Sequence, residues 1–445
     1  MAHLHPLSDG CTKSELDLFQ IPPTQTTIQD GRWIEYRPVA NLAESSPVEF
    51  DIPSSGEEYV DLSQTQLYVR AKVVRGNGAD LPEGVKVGPV NLFMHSLFQQ
   101  IDVSLNNKLV TPSSNTYPYR AMIETLLNFG QEAKDTQLTT ALFYRDTPGA
   151  MDVNDPNPEA EGAAVNLGLK KRTQFTQDSN VVDMISPLHV DAFFQERYLI
   201  NNVDLKIKLQ RSKNQFCLMS ADANPDYKVV IMEAALFVRK VKLSSSYRLS
   251  IENQLARETA KYPLRRVEVK AITLPRGHLT ASTDNVFLGQ IPRRVVVTLV
   301  ENTAFQGSYT RNPFNFQHFN LNYIGLNIDG ETVPHKALTP SFPQRDFIKS
   351  YYTLFGPTEK QGADSGNQIG REDFDRGYAF WCYDLTPDLC GSGQGHFNVV
   401  KHGNVRLELH FAEALPETVV ALVWAEFENL LEINNKRIVQ FDYTN

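Results

Sequence analysis

The chain has 445 residues, of which 41% are apolar, 10% aromatic and 21% charged. That is too apolar and too weakly charged for a disordered chain, and long enough for two to three domains. With 43 Lys+Arg against 52 Asp+Glu the net charge is −9, which argues against a protein whose main task is to neutralise phosphates.

Other classes fall away on similar grounds. Cys11, Cys217, Cys382 and Cys390 are too few and too scattered for a disulfide framework. No apolar run approaches the ~18 residues of a membrane helix. Residues 1–10 lack the apolar core of a signal peptide, and no Asn-x-Ser/Thr sequon is present. The expectation is a soluble, intracellular, multi-domain protein.

In chain order, residues 1–47, with Ile21-Pro22-Pro23 and Arg37-Pro38, read as an extended arm. Residues 64–73, 203–209, 229–238 and 294–300 are short, rich in Val, Ile, Leu, Phe and Tyr, and several alternate apolar with polar side chains, as half-buried strands do. Asn106-Asn107 and Asp329-Gly330 lie between such runs, where a tight hairpin needs residues that tolerate positive φ. Helical spacing appears over residues 119–129, with Met122, Ile123, Leu126 and Leu127 on one face and Gly130 as a stop. Residues 347–354 repeat the idea before Gly356. The stretches 146–162 and 359–370 are polar and rich in turn residues, so they read as exposed loops.

The echo between the two helical segments extends along the chain. Residues 101–107 match 324–330 at an offset of 223, and the same offset pairs His95 with His318. Arg120 then pairs with Arg345 and Gly130 with Gly356. Farther on, residues 202–209 match 404–411 at an offset of 202, and 228–230 match 418–420 at 190. Each block alone is weak, but four in the same order, with offsets drifting as loops lengthen, indicate two copies of one β domain. The expected fold is all-β: two tandem jelly-roll β-sandwiches, a double jelly roll, with short helices in inter-strand insertions. The expected divisions are an arm at 1–47, a first roll at 48–243, a linker at 244–263 and a second roll at 264–445.

No catalytic constellation emerges. Cys382, Cys390, His396 and His402 lack the CxxC-type pair of a zinc clamp and read as a buried thiol and loop histidines. The Gly-rich run 391–395 lacks the Gly-Lys-Ser/Thr and the helix of a P-loop. A bicupin metalloenzyme needs closely spaced histidines, and the only His-x-His is His3-x-His5, in the arm; Arg276-Gly277-His278 places its histidine wrongly. His95 and His318, at equivalent places, read as a shared structural position. The doublets Arg265-Arg266, Arg293-Arg294 and Lys436-Arg437 read as surface or intersubunit ion pairs. The expectation is therefore a non-enzyme with no cofactor and no metal. A building block fits best, with a tandem-sandwich lectin and, behind it, a bicupin metalloenzyme as rivals.

Several segments carry a family resemblance: Leu16-Asp-Leu-Phe-Gln-Ile-Pro-Pro-Thr-Gln-Thr26 with Tyr36-Arg-Pro38, Tyr59-Val-Asp-Leu-Ser63, residues 187–195 with 202–209, and the 276–294 segment. In order and length these resemble the double jelly-roll major capsid proteins of Maverick/Polinton elements (adintoviruses), which are hexon-like. The resemblance implies a structural subunit whose homotrimers are pseudo-hexagonal capsomers of an icosahedral DNA virus or virus-like element. It further implies a virion location, self-association into a capsid lattice, minor capsid and penton proteins as partners, and no specific nucleic-acid recognition or membrane span. The apolar arm residues Phe19, Ile21, Pro22 and Pro23 are then expected to dock on a neighbour or a minor capsid protein.

Overall fold

The computed structural model describes residues 5–43, 46–158, 162–393 and 395–441, without the side chains of Pro334 and His335. Eight strands build the first roll: β1 (Ile28–Tyr36), β2 (Val48–Ile52), β3 (Glu58–Arg75), β4 (Phe98–Leu105), β5 (Lys108–Leu109), β6 (Val182–Pro187), β7 (Leu205–Arg211) and β8 (Tyr227–Leu243). Eight more build the second: β9 (Ala260–Leu274), β10 (Thr280–Gln290), β11 (Arg294–Glu301), β12 (Leu321–Ile328), β13 (Glu331–Leu338), β14 (Trp381–Asp384), β15 (His402–Phe411) and β16 (Val419–Ile433).

The two sets pair identically. In the first roll the sheet orders are β1-β8-β3-β6 and β2-β7-β4-β5; in the second they are β9-β16-β11-β14 and β10-β15-β12-β13. Every pair within them is antiparallel. Each roll is thus two four-stranded sheets face to face, and Val439–Gln440 adds a short strand beside β16. The expected pair of jelly rolls is present.

Local chemistry explains the pairing. In β7, Leu205, Ile207 and Leu209 point into the core while Lys206 and Lys208 point out, the period-two signature of a half-buried strand. Burying such a side chain contributes roughly 1.5–3 kcal/mol. The hairpins from β4 to β5 and from β12 to β13 turn on Asn106-Asn107 (φ 46° and 64°) and Asp329-Gly330 (φ 49° and 91°), the positive-φ pairs that two-residue turns need. β4 and β12 are offset by 223 residues at both ends, as the sequence repeat has it. The later block is slipped. Leu105 pairs with Leu205, and its counterpart Ile328 pairs with Val405, so the true offset is 200 and not 202. A slip of two residues keeps every side chain on its face, and the pattern cannot register it.

Three helices shape the contacts between the rolls and their outer surfaces. α1 (Tyr117–Asn128) lies in the first roll's long β5–β6 insertion, α2 (Ser245–Leu255) joins the rolls, and α3 (Ile348–Tyr352) lies in the equivalent β13–β14 insertion. One expectation is corrected. Residues 28–36, placed with the arm by their Pro-rich flanks, form β1 and run antiparallel to β8 along its length. Their side chains are mostly exposed, so the burial alternation that marks the other strands is missing there.

Candidate assembly surfaces

The two rolls meet along a seam in which the first roll's insertions pack against the β9-β16-β11 sheet. The free edge of β9 is capped three times. Asp191 Oδ1 accepts the Val267 N–H at 3.2 Å, the Thr116 hydroxyl donates to the Val269 carbonyl at 3.1 Å, and Arg197 Nη1 donates to the Lys261 carbonyl at 2.6 Å. Those three positions, two or six apart, present their backbone groups to the same edge. Above the sheet face, Ile123 and Leu127 of α1 border a small gap together with Val296 and Trp424. Covered on both sides, β11 and β16 read as near-continuous buried runs.

Charge is buried in this seam and is paired. Arg120 on α1 reaches Asp191 at 2.6 Å and Glu124 at 3.0 Å, and His189 Nδ1 lies 2.6 Å from Glu124. Burial opposes the Glu124 charge, yet Arg120 and His189 together hold its pKa below the usual carboxylate range. A second centre joins the β5–β6 insertion to the second roll. Arg172, fully buried, pairs with Asp146 at 2.7 Å, and Asp146 Oδ2 accepts from Asn312 at 3.0 Å. Tyr119 stacks on Phe305 at 5.5 Å and meets Phe216 and Phe314 edge-on. Gly307 (φ 99°) lies here because a Cβ would come within 3.0 Å of the Phe216 backbone. Buried pairs of this kind are weak sources of net stability, but losing one partner strands a charge. The seam therefore holds the rolls at one orientation.

Lys134 carries no signal in the sequence that sets it apart. Its Nζ donates to the carbonyls of Leu126 and Asn367, at 2.9 and 2.6 Å. Burial, with Arg145 and Lys360 nearby, lowers its pKa to about 7. It ties one roll's insertion to the other's, a contact between residues far apart in the chain.

The residues singled out for chemistry are dispersed. His95 is buried, hydrogen-bonded to Tyr117 at 2.8 Å and Ser186 at 3.2 Å, and burial pushes it well below the usual histidine range. His318 stacks on Phe342 at 3.7 Å, and burial lowers it to about 4. They sit at matching points, three residues before β4 and β12, in different surroundings. Cys382 is buried, Cys390 is exposed, and His396 pairs with Asp388 at 2.7 Å; His3 lies outside the described residues. Among the described residues, no three His, Cys, Asp or Glu side chains gather as a metal site would need. The Gly-rich 391–393 turn is held by Arg293, which donates to the Cys390 and Gly393 carbonyls at 2.9 and 3.0 Å. Arg266, Arg293 and Arg294, expected at a surface, are instead buried within the chain; Arg293 pairs with Glu428 at 3.2 Å and Arg294 with Glu426 at 2.5 Å. Acids on β16, unseen in the doublet itself, draw Arg293 and Arg294 inward, while Arg266 pairs with Glu268 on its own strand and lies over the Phe427 ring.

Apolar exposure is concentrated elsewhere. In the arm Phe19 is 96% and Ile21 88% exposed, with Pro22 and Pro23 also exposed. Phe397, Val399 and Val400, between β14 and β15, and Ile348 and Tyr352 on α3 face solvent as well. No helix among the described residues is long and apolar enough to cross a membrane.

Comparison with solved structures settles the architecture. A chain of the Sputnik virophage superposes with a TM-score of 0.67 at 11% identity, covering 98% of this chain and 94% of its own. The mavirus major capsid protein gives 0.56 at 12% over 100% and 96%, and the Faustovirus major capsid protein 0.56 at 9% over 93% and 92%. The fold is a double jelly roll. At such identities the likeness speaks for the fold alone. An uncharacterized protein of Caenorhabditis elegans is 23% identical over 431 residues, covering 94% of this chain and 98% of the relative. No protein-family model matches the chain.

Proposed function

We propose that the chain is a major capsid protein, the structural subunit of pseudo-hexagonal trimeric capsomers in the shell of an icosahedral DNA virus or virus-like element. The observation that carries this reading is two jelly rolls locked together by a buried seam, with Phe19, Ile21, Tyr352, Phe397 and Val399 left exposed. A rigid two-roll block repeated three times gives six similar lobes around one axis, the form that tiles a shell. Full-length likeness in fold to the mavirus and Faustovirus major capsid proteins supports it.

The role is structural and not catalytic, and the location is the virion capsid, assembled inside a host cell. The acidic balance of −9 suits a wall that surrounds DNA without gripping it. Minor capsid and penton proteins are the further partners, with the arm around Phe19, Ile21, Pro22 and Pro23 as one docking element. Membership among Maverick/Polinton elements rests on the resemblance carried by residues 16–26, 36–38, 59–63, 187–209 and 276–294. A full-length relative in a nematode accords with an element carried in animal genomes.

Negative-stain electron microscopy of the purified full chain tests the reading. Hexagonal blocks, alone or tiled into closed shells, are expected. Elongated single two-roll particles at every concentration would contradict it.

A further inference from the structure

The two rolls differ at one matched point. In the first, His95 is shut in by Tyr117 and Ser186, lies edge-on to His189 at 4.9 Å, and is 1% exposed. In the second, His318 lines a cleft of about 570 Å³, within the ~300–1,000 Å³ of small-ligand sites. The β11–β12 loop, the β13–β14 insertion and the β15–β16 turn form most of its wall, and residues 149–153 of the first roll complete it. The repeat is filled in one copy and open in the other.

The wall mixes apolar surface with unused hydrogen-bonding groups. Phe319 and Pro416 supply the former. The side chains of Gln317, Asn320 and Glu413 line the cleft and make no hydrogen bond or ion pair among the described residues. His318 Nδ1 accepts the Asn320 N–H at 3.0 Å, so the neutral ring carries its proton on Nε2 as a further donor. Phe319 and Asn320 hold φ at 44° and 51°, backbone that a bulky residue rarely adopts and that collects at ligand sites. Charge narrows the ligand class. The carboxylates of Asp152, Asp375 and Glu413 face one guanidinium, Arg376, which disfavours phosphates and acidic sugars. So many free polar groups disfavour a lipid chain. Among the described residues no three ligating side chains gather for a metal. A ligand dense in hydroxyls, each both donor and acceptor, with apolar C–H faces between them, satisfies the wall.

We propose that this cleft binds a neutral saccharide, with Gln317, Asn320 and Glu413 bonding its hydroxyls and Phe319 and Pro416 meeting its C–H faces. Its place in the molecule gives the binding a use. The cleft lies at the start of β16, and the far end of that 15-residue strand is roughly 45–50 Å away. Just beyond that far end, Arg437 pairs with Glu252 on α2 at 2.5 Å, and Ser244, which precedes α2, donates its N–H to the Thr27 carbonyl at 2.8 Å. The arm therefore leaves from the end opposite the cleft. With the arm docked on other shell proteins, the cleft faces outward, towards the saccharides of a host surface. That display rests on the capsomer reading; the binding itself does not.

The test applies the purified full-length chain to an array of immobilised neutral, sialylated and sulphated oligosaccharides, with an arginine-rich peptide printed beside them. Binding to neutral oligosaccharides is expected. The double variant Gln317→Ala with Glu413→Ala, at side chains that hold nothing else in place, should cut it about tenfold or more with an unaltered circular-dichroism melt. Ala414→Trp, at an exposed position in the wall, should fill the cleft and weaken binding likewise. No binding to the array, binding confined to acidic saccharides or to the peptide, or binding that both variants retain would each overturn the inference and leave the capsomer standing. A chain that binds neutral saccharides through this cleft yet never associates would uphold the cleft and overturn the capsomer.

Discussion

β1 and β9 are the same strand of the same fold, and they differ in almost everything but position. β9 lies beneath a roof, with its edge hydrogen-bonded to Thr116, Asp191 and Arg197, and the neighbouring β16 is buried for its first ten residues. β1 lies open, with exposed side chains from Gln29 to Trp33. The helices show the inverse: α1 is buried from Tyr117 to Leu127, while α3 leaves Ile348 and Tyr352 in solvent. The arrangement that covers β9 and α1 is thus absent at β1 and α3 among the described residues.

The most severe way to disrupt the covered half is to strand its buried charges. Arg120→Met leaves Asp191 and Glu124 without their cation and should cost about 3–5 kcal/mol in urea or thermal unfolding. A loss below about 1 kcal/mol would mean the seam does not depend on this cluster.

A finer contrast comes from truncating equivalent helix positions. Leu127→Ala, on the helix that roofs the sheet, should cost about 2–5 kcal/mol by leaving a cavity. Tyr352→Ala, on the open helix, should change the stability of the separated chain by less than about 0.5 kcal/mol while weakening self-association. Equal costs at both positions would erase the distinction between covered and open copies.

Burial holds both equivalent histidines below the ordinary range. His318 is held at about 4, below the ordinary value of 6.5. As pH falls from about 6.5 to 4 the unfolded chain takes up the proton first, so stability is lost across that window and levels off below it. His318→Asn removes its titration and should make that part of a melting-temperature profile less steep, the share of His95 remaining. A profile identical to that of the unmodified chain would show that the site does not titrate in this way.

The smallest effect on the monomer is expected at the arm. Cutting it at residue 40 would remove β1, so the informative deletion is residues 1–24. It should leave unfolding and trimers unchanged and impair shell formation seen by microscopy. Normal shells would remove any role for the arm in assembly.

Much of the two-roll plan was legible from the residues. The 223-residue offset located β4 and β12, and Asn106-Asn107 and Asp329-Gly330 located their hairpins, because turn chemistry and period-two burial are local. β1 was not legible, since its side chains contact little within one chain and carry no alternation. Nor could the doublet Arg293-Arg294 announce its burial, which depends on Glu428 and Glu426 more than a hundred residues away. Of the assembly surfaces, the sequence pointed to Phe19 through Pro23. Trp33, Tyr352 and Phe397 became apparent only when the two rolls were compared in space.

Whether copies of the chain associate into the proposed capsomer can be read from their mass, measured by multi-angle light scattering on the purified full chain across a concentration series. A closed ring of three copies of the 50.2 kDa chain predicts a stable species of about 150 kDa. A monomer persisting at every concentration would contradict it.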